Sequence, residues 1–163
     1  MDAHDLSELR GFLREATPQI YSPDKNFDLT EDLLCRYIYS GKNFEIRNFC
    51  TGSKSFIGQK IVYDRRCLIG SRPFWGMNYR GGIWNGYEDS ESVYKFLTEA
   101  LKHPDPGPMP VRGLQIFTQA DWIYKLNFRV NEDGLERFVG EESIVYRSHL
   151  VYHCTLQGGL IRE

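Results

Sequence analysis

The chain has 163 residues, 41% hydrophobic and 26% charged, a composition typical of a globular domain that builds its own core. Twenty basic against 22 acidic residues give a net charge of −2, which excludes a protein that binds nucleic acid through a strongly basic surface. No apolar run approaches the ~20 residues that cross a bilayer, and the acidic N-terminus lacks the layout of a secretory signal. We therefore expect one globular domain, 1–163, in the cytoplasm, with neither a membrane nor a direct nucleic-acid partner.

The first predicted element is a helix. Apolar residues recur at helical spacing along one stripe of it: Leu6, Leu9, Phe12, Leu13 and Ala16. Asp5 or Ser7 offers a capping oxygen, and Pro18 is expected just beyond the end of the helix.

Antiparallel strands follow in the first half of the chain. Trp75, Met77 and Tyr79 alternate with other residues, which predicts that the three share one face of a strand. The segment 18–30 carries the weakest pattern here, and we predict a loop for it.

A second helix should begin near residue 90, capped by Asp89 or Ser90. Its apolar residues again form one stripe: Val93, Phe96, Leu97, Ala100 and Leu101. Pro104 should end it, and the segment 103–110 holds four of the seven prolines, which predicts an extended connector.

The remainder of the second half again alternates with the period of a strand. One predicted strand face contains Trp122, Tyr124, Leu126, Phe128 and Val130, followed by a turn at 131–134. A later strand places Leu150, Tyr152, Cys154 and Leu156 on a common face.

The two halves share matching segments in the same order, which predicts an internal duplication with repeats 1–84 and 85–163. Phe-Ile-Gly at 56–58 matches Phe-Val-Gly at 138–140. Val-Tyr at 62–63 matches 145–146, Leu68 matches Leu150, and both halves close on a Gly-Gly pair, at 81–82 and 158–159. The fold class that follows is α+β: a duplicated unit of one helix plus about four antiparallel strands, with two units sharing one core.

The segments 56–59, 73–81, 151–152 and 158–161 also carry a family resemblance. Their residues, above all the Trp-Gly-Met-Asn-Tyr run at 75–79, are similar to an uncharacterised bacterial family, domain of unknown function 5680. The resemblance implies a protein met alone or C-terminal to Xre-type helix-turn-helix domains, and it implies no chemistry. An acidic residue often follows the Gly-Gln pair in the family; this chain has Lys60 there, and acids at the matching place of the second half, Glu141 and Glu142.

No local signature of catalysis or of a cofactor site stands in the sequence. It has no Gly-x-Ser-x-Gly elbow, no His-Glu-x-x-His and no phosphate-binding glycine loop. His149 and His153 lie roughly 13 Å apart along a strand, too far to share one ion. We expect no catalytic residues, no metal and no cofactor, and we interpret the cysteines as free: Cys35, Cys50, Cys67 and Cys154.

Aromatic residues are 14% of the chain, and a seam between two repeats is a favourable place for an apolar pocket with a few polar groups. If such a pocket exists, we predict that it is lined by Trp75, Asn78, Tyr79, Trp122 and Tyr124, with Asn78 as a buried amide.

Three functions stay open. The leading hypothesis is a non-enzymatic module that senses or binds a small molecule or a protein, of the type found in transcription regulators. The alternatives are a protein-interaction module of antitoxin or immunity type, and a small enzyme whose site is assembled from both repeats. The sequence leaves the ligand, the partner and the oligomeric state undetermined.

Overall fold

A computed structural model describes residues 3–22, 27–31, 34–66, 70–84, 86–129 and 134–162. Within them are two helices and nine strands. The helices are α1 (Ala3–Ile20) and α2 (Ser90–Leu101). The strands are β1 (Asp28–Leu29), β2 (Cys35–Ser40), β3 (Phe44–Gly52), β4 (Ser55–Asp64), β5 (Arg72–Ile83), β6 (Ile116–Gln119), β7 (Trp122–Arg129), β8 (Arg137–Tyr146) and β9 (His149–Leu160). A 3₁₀ turn, Gly134–Glu136, precedes β8.

All nine strands form one antiparallel sheet in the order β1-β2-β3-β4-β5-β9-β8-β7-β6. The α+β class is therefore confirmed. The halves meet where β5 pairs with β9, from Trp75 opposite Leu160 to Ile83 opposite Tyr152. Strands of the first half lie on one side of that junction and strands of the second half on the other.

The core lies between one face of this sheet and the two helices. Leu9, Leu13 and Ala16 of α1 are buried against it, as the helical stripe predicts. The stripe of α2 is buried at every predicted position, and the Asp89 side chain accepts a hydrogen bond from the Ser92 amide at 3.0 Å. The prediction for α2 is confirmed at both its cap and its face.

On the sheet side the core is built mainly from alternating aromatic and aliphatic residues. Trp75, Met77 and Tyr79 of β5 are buried on one face, as predicted, and so are Tyr124 and Leu126 of β7. These side chains form one continuous hydrophobic cluster with the helices. We call this helix-covered side the inner face and the opposite side the outer face.

Several local expectations were wrong. Pro18 lies inside α1, in its last turn, because the helix continues to the buried residue Ile20. The segment 18–30 is therefore not a loop throughout, since it holds the end of α1 and the strand β1.

The segment 103–110, predicted to be an extended connector, instead turns back, so that Pro104 forms an isolated β-bridge with Gly113. In this connector, 104–113, Met109 and Val111 are buried, and Arg14 donates hydrogen bonds to the carbonyls of residues 105–107.

Leu150 is a further exception, since its side chain is exposed. The register of β8 against β9 shifts between Ile144 and Val145, and this bulge separates Leu150 from the face of Tyr152. Several predicted features lie outside the described residues: Cys67, Leu68, Val130 and the turn at 131–133.

Neither helix in the described part of the chain is long and apolar enough to cross a membrane.

Candidate functional site

The outer face of the sheet carries a groove with a cavity volume of about 750 Å³, within the usual range for small-molecule sites. It crosses the junction between β5 and β9, so both halves of the chain contribute to it. Its lining consists of Leu34, Phe49, Cys50, Thr51, Ile57, Gly58, Gln59, Asn78, Tyr79, Arg80, Val139, Thr155, Leu156 and Gln157.

The outward-facing part of this lining is set by two rows of strand register. In the first row Gln59, Asn78 and Gln157 stand opposite one another on β4, β5 and β9, with Phe49 and Val139 at the two ends. In the second row Ile57, Arg80 and Thr155 stand opposite one another. Because side chains alternate along a strand, both rows face away from the helices.

The first row has an amide centre between apolar ends. Gln59 Nε2 donates to Asn78 Oδ1 at 2.9 Å, which fixes the orientation of both amides. The Gln59 oxygen and the Asn78 NH₂ group, both on residues of the groove lining, have no hydrogen-bond partner among the described residues. A ligand with amide or hydroxyl groups would find donors and acceptors here, beside the ring of Phe49 and the side chain of Val139.

The second row holds the charge of the groove. Arg80 is the only charged residue among the described residues that line it, and its exposed side chain has no hydrogen-bond or ion-pair partner among them. Thr155 Oγ1 points to the Arg80 carbonyl at 3.4 Å. Ile57 lies on the other side of Arg80 with 56% of its side chain exposed, an unusual exposure for isoleucine at the centre of a sheet.

The five residues predicted to line a pocket do not surround one cavity. Asn78 and Tyr79 belong to the groove lining, but Asn78 is exposed, so the expectation of a buried amide was wrong. Asn78 faces outward because its neighbours Met77 and Tyr79 both face inward. Trp75 and Tyr124 are fully buried on the inner face.

Trp122 also lies on the inner side, stacked on Tyr146 with ring centroids 4.2 Å apart. The indole N–H of Trp75 donates to the Leu135 carbonyl at 3.0 Å, which ties β5 to the turn before β8. Both tryptophans therefore have packing partners of their own in the fold. Their part in ligand binding stays a prediction.

Behind the groove, the inner face contains a buried ionic network that the sequence reasoning missed. Arg112 of the connector donates from Nε and Nη2 to the two carboxylate oxygens of Glu142, at 2.9 and 2.7 Å. Tyr124 and Tyr152 each donate a hydroxyl hydrogen bond of 2.7 Å to the same carboxylate. Glu142 is 0% exposed, so four hydrogen bonds replace its water.

The electrostatics of this network are consistent with an ionised carboxylate. Burial raises the pKa of the Glu142 carboxyl, but the charge of Arg112 and the hydrogen bonds from Arg112, Tyr124 and Tyr152 outweigh it and leave that pKa below its ordinary value. Burial and the negative Glu142 raise the pKa of both tyrosine hydroxyls well above 10. The tyrosines therefore act as neutral donors at every physiological pH.

Elements from both halves hold this network together. Lys60 of β4 is 1% exposed, donates to the Val111 carbonyl at 3.1 Å, and lies 4.9 Å from the centre of the Tyr21 ring. Arg112 also donates to the Tyr21 hydroxyl. Since the carboxylate is fully bonded and sealed from solvent, we interpret the network as the rigid support of the sheet rather than as a reactive centre.

The sequence held one signal for this network. Lys60 and Glu142 each stand two residues after the glycine of the matching Phe-x-Gly segments, so the comparison of the halves pairs a cation with an anion. Adjacent carboxylates on a strand face opposite sides, and the structure confirms this: Glu141 is partly exposed and bonded to Arg129, whereas Glu142 is buried. Nothing in the sequence links Glu142 to Arg112.

Among the described residues, no three His, Cys, Asp or Glu side chains come together as a metal site. Three described cysteines, Cys35, Cys50 and Cys154, are free thiols, and burial raises the pKa of Cys154 to about 11.

Comparison with known protein families gives one match to this chain. A family model described as a domain of unknown function (DUF5680) matches residues 48–161. The chain belongs to this family. The match spans β4, β5, β8 and β9, the four strands that form the centre of the sheet and of the groove. No curated protein and no solved structure matches the chain.

Proposed function

We propose that this DUF5680 chain is a non-enzymatic module that binds a small molecule in the outer groove. The observation that carries the proposal is the groove itself: apolar ends, a central amide row and a guanidinium with no partner among the described residues, all on one continuous sheet. Small-molecule sites have this composition of mostly apolar walls with few placed polar groups. The carboxylate most protected from water, Glu142, is fully bonded on the other face, which favours binding over catalysis.

We also propose a regulatory setting for this binding. The resemblance of the sequence implies a bacterial family that occurs alone or behind Xre-type helix-turn-helix domains. A ligand-binding module in that company would act as a sensor in the cytoplasm.

The two halves, in our proposal, descend from one ancestral unit and build the groove jointly. The register shifts of the sheet lie at Val62/Tyr63 and at Ile144/Val145, within one residue of the matching Val-Tyr pairs at 62–63 and 145–146. The closing glycines Gly82 and Gly159 have the same φ, +158° and +159°. On this proposal the ligand binds across the junction of β5 and β9, where the strands of the two halves meet.

A thermal-shift screen with two matched variants tests the binding proposal. Thr155→Trp fills the groove beside Arg80, while Thr118→Trp makes the same change at an exposed position of β6 outside it. We expect a class of metabolites to stabilise wild type and T118W and to lose that effect on T155W. A ligand at a hundred times its Kd adds about 2.7 kcal/mol, a shift of several degrees.

Two results would contradict the proposal. One is a screen in which no metabolite, nucleotide, peptide or antibiotic stabilises the wild-type chain. The other is a set of hits that stabilise T155W as strongly as wild type, because those compounds would bind away from the groove.

A second candidate function is a protein-interaction module. The observation in its favour is the exposure of Ile38, Ile57 and Val139 on the outer face, since exposed apolar patches often mark interfaces. A partner protein that binds T118W but not T155W, together with a flat metabolite screen, would support this function instead.

A further inference from the structure

The charge of the groove restricts the ligand class further. We infer that the groove takes a monocarboxylate with an apolar body, whose carboxylate binds the guanidinium of Arg80. This inference rests on the proposed function and deepens it. It starts from the contrast between Arg80 and the other outer-face arginines that flank the groove.

Other outer-face arginines already have partners. Arg129 on β7 is bonded to Glu141 at 2.9 Å, and Arg47 on β3 is bonded to Glu45 at 2.7 Å. Arg80 lies between Ile57 and Thr155 at the centre of the sheet and has no such partner among the described residues. A guanidinium fork binds a carboxylate through two parallel hydrogen bonds, so an anionic ligand would supply the missing partner.

The count of charges favours a single negative charge on the ligand. Arg80 is the one cation in the described lining, and no second cation stands within it to balance a phosphate dianion. Glu141 lies two strands from Arg80 in the same row, about 10 Å away, and its charge is offset by Arg129. A carboxylate matches this field better than a phosphate group.

The apolar body follows from what surrounds the guanidinium. Ile57 lies directly beside Arg80 on the neighbouring strand, one strand spacing of about 4.8 Å away. Phe49 and Val139 lie in the next row, each two strands from Arg80 and so on the order of 12 Å away. A ligand anchored at Arg80 covers Ile57 and reaches one of these two walls across the amide row.

The volume favours a small molecule as the occupant. A groove of about 750 Å³ has the volume of a typical small-molecule site and has room for a compound of metabolite size.

A matched set of three probes tests the inference: octanoate, octanol and octylammonium, which share one apolar body and differ in charge. Binding to the ¹⁵N-labelled wild-type chain is followed by amide chemical shifts, read at residues 57–59, 78–80 and 155–157. We expect octanoate to bind in the groove about tenfold more tightly than octanol, and octylammonium more weakly than octanol.

Three variants assign the charge preference to a residue. Arg80→Gln should bring the affinity for octanoate down to that for octanol and leave octanol unchanged. Arg80→Lys keeps the charge without the fork and should retain part of the preference. Arg129→Gln is the control, an exposed arginine outside the lining, and should retain all of it.

The inference is overturned if wild type binds octanoate and octanol equally, if R80Q keeps the preference, or if none of the three probes shifts the groove residues. In each case the proposed function stands separately, because it is decided by whether T155W abolishes the response to the hits of the screen. If the hits of the screen stabilise T155W as strongly as wild type, the proposed function is wrong, whether or not octanoate binds.

Discussion

Glu142 has the most demanding environment of any described residue, because an ionised carboxylate is held with no exposure to water. Glu142→Gln removes that charge and leaves Arg112 buried without a counter-ion. We expect a loss of about 3–5 kcal/mol in the free energy of unfolding, measured by urea denaturation. The neighbouring variant Glu141→Gln is the control: its exposed pair with Arg129 should account for less than about 1 kcal/mol. Equal effects of the two variants would refute the network.

The same carboxylate predicts how stability depends on pH. The folded state lowers the pKa of Glu142, so its contribution is complete above the unfolded pKa, about 4.3, and is lost as the pH falls through the folded pKa. The pKa of Tyr124 and Tyr152 is raised, so their contribution is complete below about pH 10 and is lost as the pH rises through their folded pKa.

Unfolding free energy should therefore be level between roughly pH 5 and 9 and should fall on both sides. As the pH falls below about 5, the free energy of unfolding should decrease less steeply in E142Q than in E141Q. Urea denaturation at a series of pH values measures this difference. An identical acid limb in the two variants would show that Glu142 does not carry it.

At the scale of elements, Gly82 of β5 and Gly159 of β9 allow these strands to lie close to the backbone of a neighbouring segment. A Cβ on Gly82 would lie 2.3 Å from the Lys54 carbonyl oxygen, and one on Gly159 would lie 2.2 Å from that of Glu136. Both contacts are with backbone, which has no room to shift.

Gly82→Ala and Gly159→Ala should each reduce stability by about 1–3 kcal/mol, and by similar amounts, because a Cβ at either position meets a backbone oxygen at nearly the same distance. Gly11→Ala is the control, since a Cβ there meets no atom within 4 Å in α1, and should raise stability by about 0.5–1 kcal/mol. Thermal or urea unfolding measures all three. If G159A lowered the free energy of unfolding and G82A left it unchanged, the proposed equivalence of the two glycines would be wrong.

Elements with local signals could be predicted from the sequence. The helix α2 is specified by residues close together in the chain, namely the Asp89 cap and the apolar stripe from Val93 to Leu101. The alternation of residues in β5 and β7 likewise predicts which side chains face the core. The prediction for Asn78 was wrong because apolar neighbours on a strand place a residue on the opposite face from themselves.

The site required contacts that no local pattern encodes. Arg112 meets Glu142 across 30 residues of sequence, from a proline-rich connector that reads as a linker. The groove exists only because β5 pairs with β9 and brings Asn78 opposite Gln157. Phe49 is the one aromatic side chain in the two outward rows of its described lining, so the aromatic composition of the chain pointed instead to the core.

At the scale of the whole molecule, the continuous sheet makes the two halves one structural unit. Nine residue pairs join β5 to β9, and both helices complete a single core. We expect urea unfolding followed by tryptophan fluorescence, which reports on Trp75, Trp84 and Trp122 in both halves, to coincide with the loss of far-ultraviolet circular dichroism. Two separate transitions would mean that the halves fold independently.

The outer groove is where we propose that this protein binds its ligand. The most direct measurement is an amide chemical-shift map of the wild-type chain with the strongest compound from the metabolite screen. We predict the largest shifts at Gln59, Asn78, Arg80 and Gln157, and the loss of those shifts in T155W. Shifts centred instead on α1, α2 or the connector 104–113 would contradict it, because the ligand would then bind the helix side of the sheet.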